Sequence, residues 1–150
     1  MEATVAGCIA IAGETEVFRD DELEVLRGVL EDYFYSPDRN YRALFEERDG
    51  RIVAFVIYGR TPMTATAWDL YWIVVDRNYQ GKGIGKKLVR DLQTDILRIH
   101  PGGILRVETS AKNVFAVACG FYRKNGFTSA GRIPNFYGVD DDLVIFYKTL

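Results

Sequence analysis

The chain is poor in the residues that build metal centres and disulfide frameworks. Its 150 residues include two cysteines and one histidine. Cys8 and Cys119 show no metal-ligand spacing, and two cysteines in a chain this long make no disulfide framework, so no metal is expected. The lone His100 stands beside Pro101 in a helix-ending turn and reads as a surface residue. Long apolar runs are missing as well. The longest, Ile52–Tyr58 and Leu70–Val75, are far too short to cross a bilayer, and no membrane association is expected. The N-terminus lacks a basic segment leading into an apolar one with a small-residue cleavage site, so no secretory leader is expected. Neither charge is in excess. A net charge of -2 and a pI near 5.5 exclude the domain-wide basic footprint of a nucleic-acid binder. Together these absences point to a reduced, cytoplasmic protein.

What is present is a core-forming composition, 48% hydrophobic, at the length of one domain spanning residues 1–150. One stretch organises it. Trp72–Val75 is a buried-strand run, and a polar turn carries it into glycines at 81, 83 and 85. An amphipathic helix follows, with Ile84, Leu88, Val89, Leu92, Ile96 and Ile99 on one face. A strand, a glycine loop and a helix N-terminus let main-chain N–H groups converge on an anion, helped by the helix dipole. A side chain in the loop would hold that anion away. Lys82, Lys86 and Lys87 add positive charge, locally enough to suit a small polyanion rather than a duplex.

Spacing decides which phosphate ligand is meant. The mononucleotide loop G-x-x-x-x-G-K-[S/T] fails at Gln80 and Lys87. The dinucleotide pattern G-x-G-x-x-G fails at Lys86. Gln80-Gly81-Lys82-Gly83-Ile84-Gly85 does fit Q/R-x-x-G-x-G/A, and in that it resembles the pyrophosphate motif of the GNAT superfamily of acetyl-CoA-dependent N-acetyltransferases. Without the resemblance, the same run is a glycine-rich turn with an exposed basic helix start. A second stretch, Asn113-Val-Phe-Ala-Val-Ala-Cys-Gly-Phe-Tyr-Arg-Lys-Asn-Gly-Phe127, is similar to the family pattern N-x(n)-A-x(n)-F/L-Y-x-K-x-G-F. With the two motifs in the right order, the chain is identified as a member of the family, and the resemblance covers roughly residues 15–150. Gly120, inside the second motif's helix, departs from it at a cost of about 1 kcal/mol relative to alanine.

Taken in order, Val5–Ala12 reads as a short edge strand ending at Gly13. Asp20 or Asp21 reads as the cap of a helix whose stripe is Leu23, Leu26, Leu30 and Tyr33 and whose end is Ser36-Pro37-Asp38. Tyr41–Glu47 and Arg51–Arg60 pair around a tight Asp49-Gly50 turn. The unbroken apolar run Ile52–Tyr58 predicts burial on both faces. Ala65–Val75 is the longest strand. After the glycine-loop helix, His100-Pro101-Gly102-Gly103 forces a break before a strand over Ile104–Thr109, making a parallel crossover. Asn113–Asn125 reads as a helix with Gly126 at its C-terminal cap. Strands near Thr128–Ile133 and Leu143–Thr149 flank a loop over Pro134–Asp142. The fold class is α/β. The resemblance implies a single GNAT domain, with a mixed sheet of about six to seven strands, a splay between the fourth and fifth, and flanking helices.

The resemblance also implies the chemistry, acetyl transfer from acetyl-CoA to a primary amine of a small molecule or a peptide. The pantetheine arm would lie between strands near Ile73, Val74 and Val75 and near Val107–Thr109. The pyrophosphate would rest on the loop Gln80, Gly81, Lys82, Gly83, Ile84, Gly85 and Lys86. Asn113 matches a position that often bonds the cofactor, and it also reads as a plain helix N-cap. Tyr122 matches the tyrosine that protonates the departing thiolate, or else is one packed tyrosine among nine. Asp69 and Glu108 are the candidate bases, acting through water because a carboxylate of pKa about 4 is poorly matched to an amine. Asp69 shares strand parity with Tyr71 and Ile73. The acceptor pocket is expected from Thr61–Thr66, Tyr33, Tyr35 and Asn135-Phe136-Tyr137. The alternative is a non-catalytic acyl-CoA-binding regulatory module. Dimerisation is common on this fold, and the sequence leaves a homodimer open.

Overall fold

The computed structural model describes residues 1–36 and 40–150. Helices α1 (Glu2–Glu14) and α2 (Asp20–Tyr35) precede the hairpin β1 (Arg42–Arg48) and β2 (Arg51–Arg60). Strand β3 (Ala67–Val75) leads through a 3₁₀ turn at Arg77–Tyr79 into α3 (Ile84–Ile99) and then β4 (Ile104–Ser110). A second 3₁₀ turn, Asn113–Phe115, precedes α4 (Ala116–Lys124), and the hairpin β5 (Thr128–Gly138) and β6 (Asp141–Thr149) ends the chain. The sheet order is β1-β2-β3-β4-β6-β5. Only β3 and β4 run parallel, joined through α3, and the other neighbours are antiparallel.

Strand β2 lies between two cores. Val53, Val56 and Tyr58 face α3 and α4, whereas Phe55 and Ile57 face α1 and α2. That is why Ile52–Tyr58 carries no polar alternation. The buried face of α3, Ile84, Leu88, Val89, Leu92 and Ile96, closes the first core. Each such side chain contributes about 1.5–3 kcal/mol when fully withdrawn from water. Ile99, expected on that face, is 46% exposed because the helix ends there and the chain turns away.

Several expected elements differ. Val5–Ala12 is part of α1 rather than an edge strand. Its alanines favour helix, and helical spacing buries Val5, Cys8, Ile11 and Ala12 together with Phe55 and Ile57. The loss of that strand leaves six, so the expected fourth and fifth strands are β3 and β4. The cap of α2 is Arg19, whose main-chain N–H donates to Glu22 Oε2 at 2.8 Å; Asp20 and Asp21 occupy the first turn. The expected end of α2 at Pro37 and Asp38 lies outside the described residues. Asn113 belongs to the 3₁₀ turn, and α4 begins only at Ala116, so Asn113 does not cap that helix. Pro134–Asp142 is not an open loop. β5 continues to Gly138 with a register shift after Ile133, and an edge strand tolerates Pro134 because no neighbour needs its missing N–H.

Candidate active site

The site begins where β3 and β4 stop pairing. Their rungs run from Ala67–Ile104 to Leu70–Val107 and then cease. Tyr71 causes the parting on the β3 side. Against β2, Ile57 pairs with Trp72 but Tyr58 pairs with Leu70, so Tyr71 is an extra residue that bends and twists the strand. Beyond it, the edges of Tyr71–Val75 and Glu108–Ser110 that faced each other have no rung between them. A cleft of about 1120 Å³ opens in the gap, lined by Ile73, Val74 and Val75 on one strand and by Glu108, Thr109 and Ser110 on the other.

At one end of the cleft, the glycine loop is shaped by left-handed backbone. Gly81 has φ 73° and Gly83 has φ 81°, values at which any side chain is strained. Gly83 is the N-cap of α3, leaving the first-turn N–H groups without helical acceptors beside the cleft. Gly85 serves another purpose: a Cβ there would stand 3.0 Å from Phe121, so glycine lets α3 and α4 approach. The Gln80 side chain donates to the Val75 carbonyl at 3.0 Å and ties the loop to β3. Gln80, Gly81, Gly83, Ile84, Gly85 and Lys86 all line the cleft. The lysines divide. Lys86 faces the cleft, Lys82 stacks over the Tyr79 ring at 4.9 Å, and Lys87 pairs with Glu46 and Asp91 at 2.9 Å each. The charge of Lys87 therefore holds α3 to β1.

Tyr122, on α4, lines the same cleft while only 5% of it is exposed. The rings of Phe127 and Phe146 pack against it, with centroids 5.5 and 5.8 Å away. Burial, with a smaller contribution from nearby Cys119, pushes its phenol well above the ordinary tyrosine range. It stays an uncharged phenol at every physiological pH.

The two candidate bases part company. Glu108 lines the cleft. Asp69 does not: the bulge at Tyr71 breaks the parity expected with Ile73. Asp69 is buried, accepting from Arg106 Nε at 2.7 Å and from Thr61 Oγ1 at 2.8 Å. Asn113 is exposed and outside the lining; Lys112, Phe115, Val117 and Ala118 stand in its neighbourhood instead.

The sequence model of the Acetyltransferase (GNAT) domain matches residues 39–129, from before β1 to the start of β5. The chain belongs to the GNAT acetyltransferase family. Over 81 residues it is 38% identical to the N-alpha-acetyltransferase RimI of Mycobacterium tuberculosis (strain ATCC 25618 / H37Rv), a match taking in 54% of this chain and 46% of that relative's length. A Desulfovibrio desulfuricans protein assigned to the GNAT family overlays with a TM-score of 0.89 at 27% identity, over 96% of this chain and 90% of that one. An aminoglycoside 6′-N-acetyltransferase solved with coenzyme A overlays with a TM-score of 0.74 over 97% and 89%. At 18% identity that last likeness is one of fold.

The far end of this GNAT domain's cleft was only partly anticipated. Tyr137 of the β5–β6 hairpin lines it, but Tyr33, Tyr35, Thr61–Thr66, Asn135 and Phe136 do not. Tyr33 instead borders a separate hollow of about 110 Å³ with Tyr58 and Asp95. The start of α2 and the residue before its cap supply the missing wall, through Phe18, Asp21, Glu22 and Val25. Its acidic run looked like a helix start and nothing more. Burial raises the Tyr137 phenol, and the charges of Glu108, Asp141 and Glu22, which line the same cleft, add to the effect. Asp141 accepts from Ser110 Oγ and pairs with Lys112 at 3.3 Å. Among the described residues, no group of His, Cys, Asp and Glu is placed to hold a metal ion, and no helix is long and apolar enough to cross a membrane.

Proposed function

We propose that this domain transfers the acetyl group of acetyl-CoA to a primary amine, with the α-amine of a peptide as the favoured acceptor. The observation that carries the reading is the β3–β4 parting, which opens between a glycine-capped helix N-terminus and a buried, protonated tyrosine. The residues fit the cofactor. Left-handed Gly81 and Gly83 present bare backbone, which suits a pyrophosphate beside the unpaired N–H groups of α3. The cosubstrate supplies an activated acyl thioester.

The chain's own groups do the rest. A main-chain N–H near Val74 or Val75, on the edge of β3 that has no rung to β4, polarises a carbonyl laid along the strand. An amine with an ordinary pKa of about 8 to 10.4 must lose a proton before it attacks. Glu108 takes that proton through an ordered water. Tyr122 gives its proton to the departing thiolate, which would otherwise leave as an anion in an apolar setting. The acceptor enters between the first turn of α2 and the β5–β6 hairpin, whose carboxylates favour a cationic approach. The peptide acceptor rests on the similarity to an N-alpha-acetyltransferase. A small-molecule amine is the second reading.

The experiment is thiol release from acetyl-CoA across a panel of N-terminal peptides, lysine peptides, polyamines and aminoglycosides, with product masses. Acetylated product from any of them supports the enzyme. Coenzyme binding without turnover on any acceptor returns the domain to the acyl-CoA-binding alternative.

A further inference from the structure

We infer that Arg106, anchored by Asp69, is a positioning residue that aims the Glu108 carboxylate into the cleft. This rests on the reading of the site given above and deepens it. The two residues form one of the last rungs before β3 and β4 part, Asp69 opposite Arg106, with only Leu70–Val107 beyond. Arg106 therefore stands one rung short of where the strands part. Its Nε donates to Asp69 Oδ1 at 2.7 Å, and the other carboxylate oxygen of Asp69 accepts from Thr61 Oγ1 at 2.8 Å. Both oxygens of Asp69 are engaged, and the residue is only 7% exposed. Asp69 is thus an anchor rather than a base.

A guanidinium is a rigid planar fork, so fixing Nε also fixes the direction of the remaining N–H groups. One of them, Nη1, stands 3.3 Å from Glu108 Oε1. Arg106 and Glu108 are two apart on β4, on the same face of the strand. Holding Oε1 leaves Oε2 free to take a proton. Without this tether a side chain with three rotatable bonds, 39% exposed at the cleft wall, would sample many orientations.

Glu108 shares the cleft lining with Glu22 on α2, Tyr71 on β3, Lys112 before α4, Tyr137 on β5 and Asp141 on β6. Lys112 is taken up by Asp141 at 3.3 Å. Arg106 is the cation in contact with Glu108.

The test is a double-mutant cycle on the full chain with a good acceptor. Arg106→Gln should lower kcat by roughly ten- to a hundredfold, the scale of a misplaced catalytic group. The loss should fall on kcat, with the acceptor KM and acetyl-CoA affinity unchanged. In a Glu108→Gln background the same substitution should do nothing further, since a residue acting through Glu108 loses its effect once that carboxylate is gone. Arg106→Lys, which keeps the charge but loses the fork, should restore only part of kcat. Asp69→Asn should fall between parent and Arg106→Gln. Additive losses in the two backgrounds, or an Arg106→Gln enzyme equal to the parent, would overturn the inference and leave acetyl transfer standing. Glu108→Gln with full activity would also overturn it. A parent inactive on every amine would instead remove the functional reading and this inference with it.

Discussion

Tyr122 is held by aromatic packing rather than by a polar partner, with Phe121, Phe127 and Phe146 around its ring. The position is costly for a phenolate and harmless for a phenol, so burial raises its pKa and keeps the proton on. Tyr122→Phe preserves the ring and its contacts while removing the donor. Turnover should fall by about 10²–10⁴-fold, with acetyl-CoA binding nearly unchanged by calorimetry. The direction of the shift also fixes a pH result. A group with a raised pKa stays protonated above its usual range, so any loss of kcat below about pH 10 must come from another group. A basic limb in that region that vanishes in Tyr122→Phe would contradict this assignment. Turnover within threefold of the parent would reduce Tyr122 to a packing residue.

The glycine loop and α3 act as one element because their constraints are complementary. Gly81 and Gly83 are glycines for φ, and Gly85 is a glycine for the approach of Phe121. The helix is then anchored away from the cleft, where Lys87 bonds buried Glu46 on β1 and draws that carboxyl below its ordinary range. Gly83→Glu adds bulk, strain and a like charge where the anion is proposed to sit. Acetyl-CoA binding measured by calorimetry should weaken at least tenfold, about 1.4 kcal/mol. Unchanged affinity in a folded variant would remove the loop from the site. The β3 bulge at Tyr71 is the counterpart element, since it shifts strand parity and begins the parting in a single step.

Across the whole molecule, the two thiols report on different events. Cys8 is fully buried between α1 and the sheet, and burial pushes its thiol up to about 12. Cys119 on α4 is half-buried. Since the thiolate is the reactive form, an aromatic disulfide reagent should label Cys119 in the native protein and leave Cys8 untouched until the fold opens. The slow phase should vanish in Cys8→Ala and should accelerate in denaturant along with loss of circular dichroism. Rapid native labelling of both thiols would show that α1 detaches independently of the rest. Any thiol-release assay must also be corrected for the Cys119 background.

The order of strands and helices after residue 40, the glycine loop and the family were legible because each rests on local rules. Hydrophobic period separates strand from helix, and only glycine tolerates the backbone at 81 and 83. The α1 segment was not legible, because a short run of small apolar residues suits either state and the open face of β2 made the choice. The continuation of β5 past Pro134 was likewise decided by an edge position that a single sequence does not display. The different placements of Asp69 and Glu108 depended on one extra residue in β3. A bulge forms only where a partner strand defines register, so the side on which Asp69 falls was set by β2 and by Arg106, not by its neighbours in the chain.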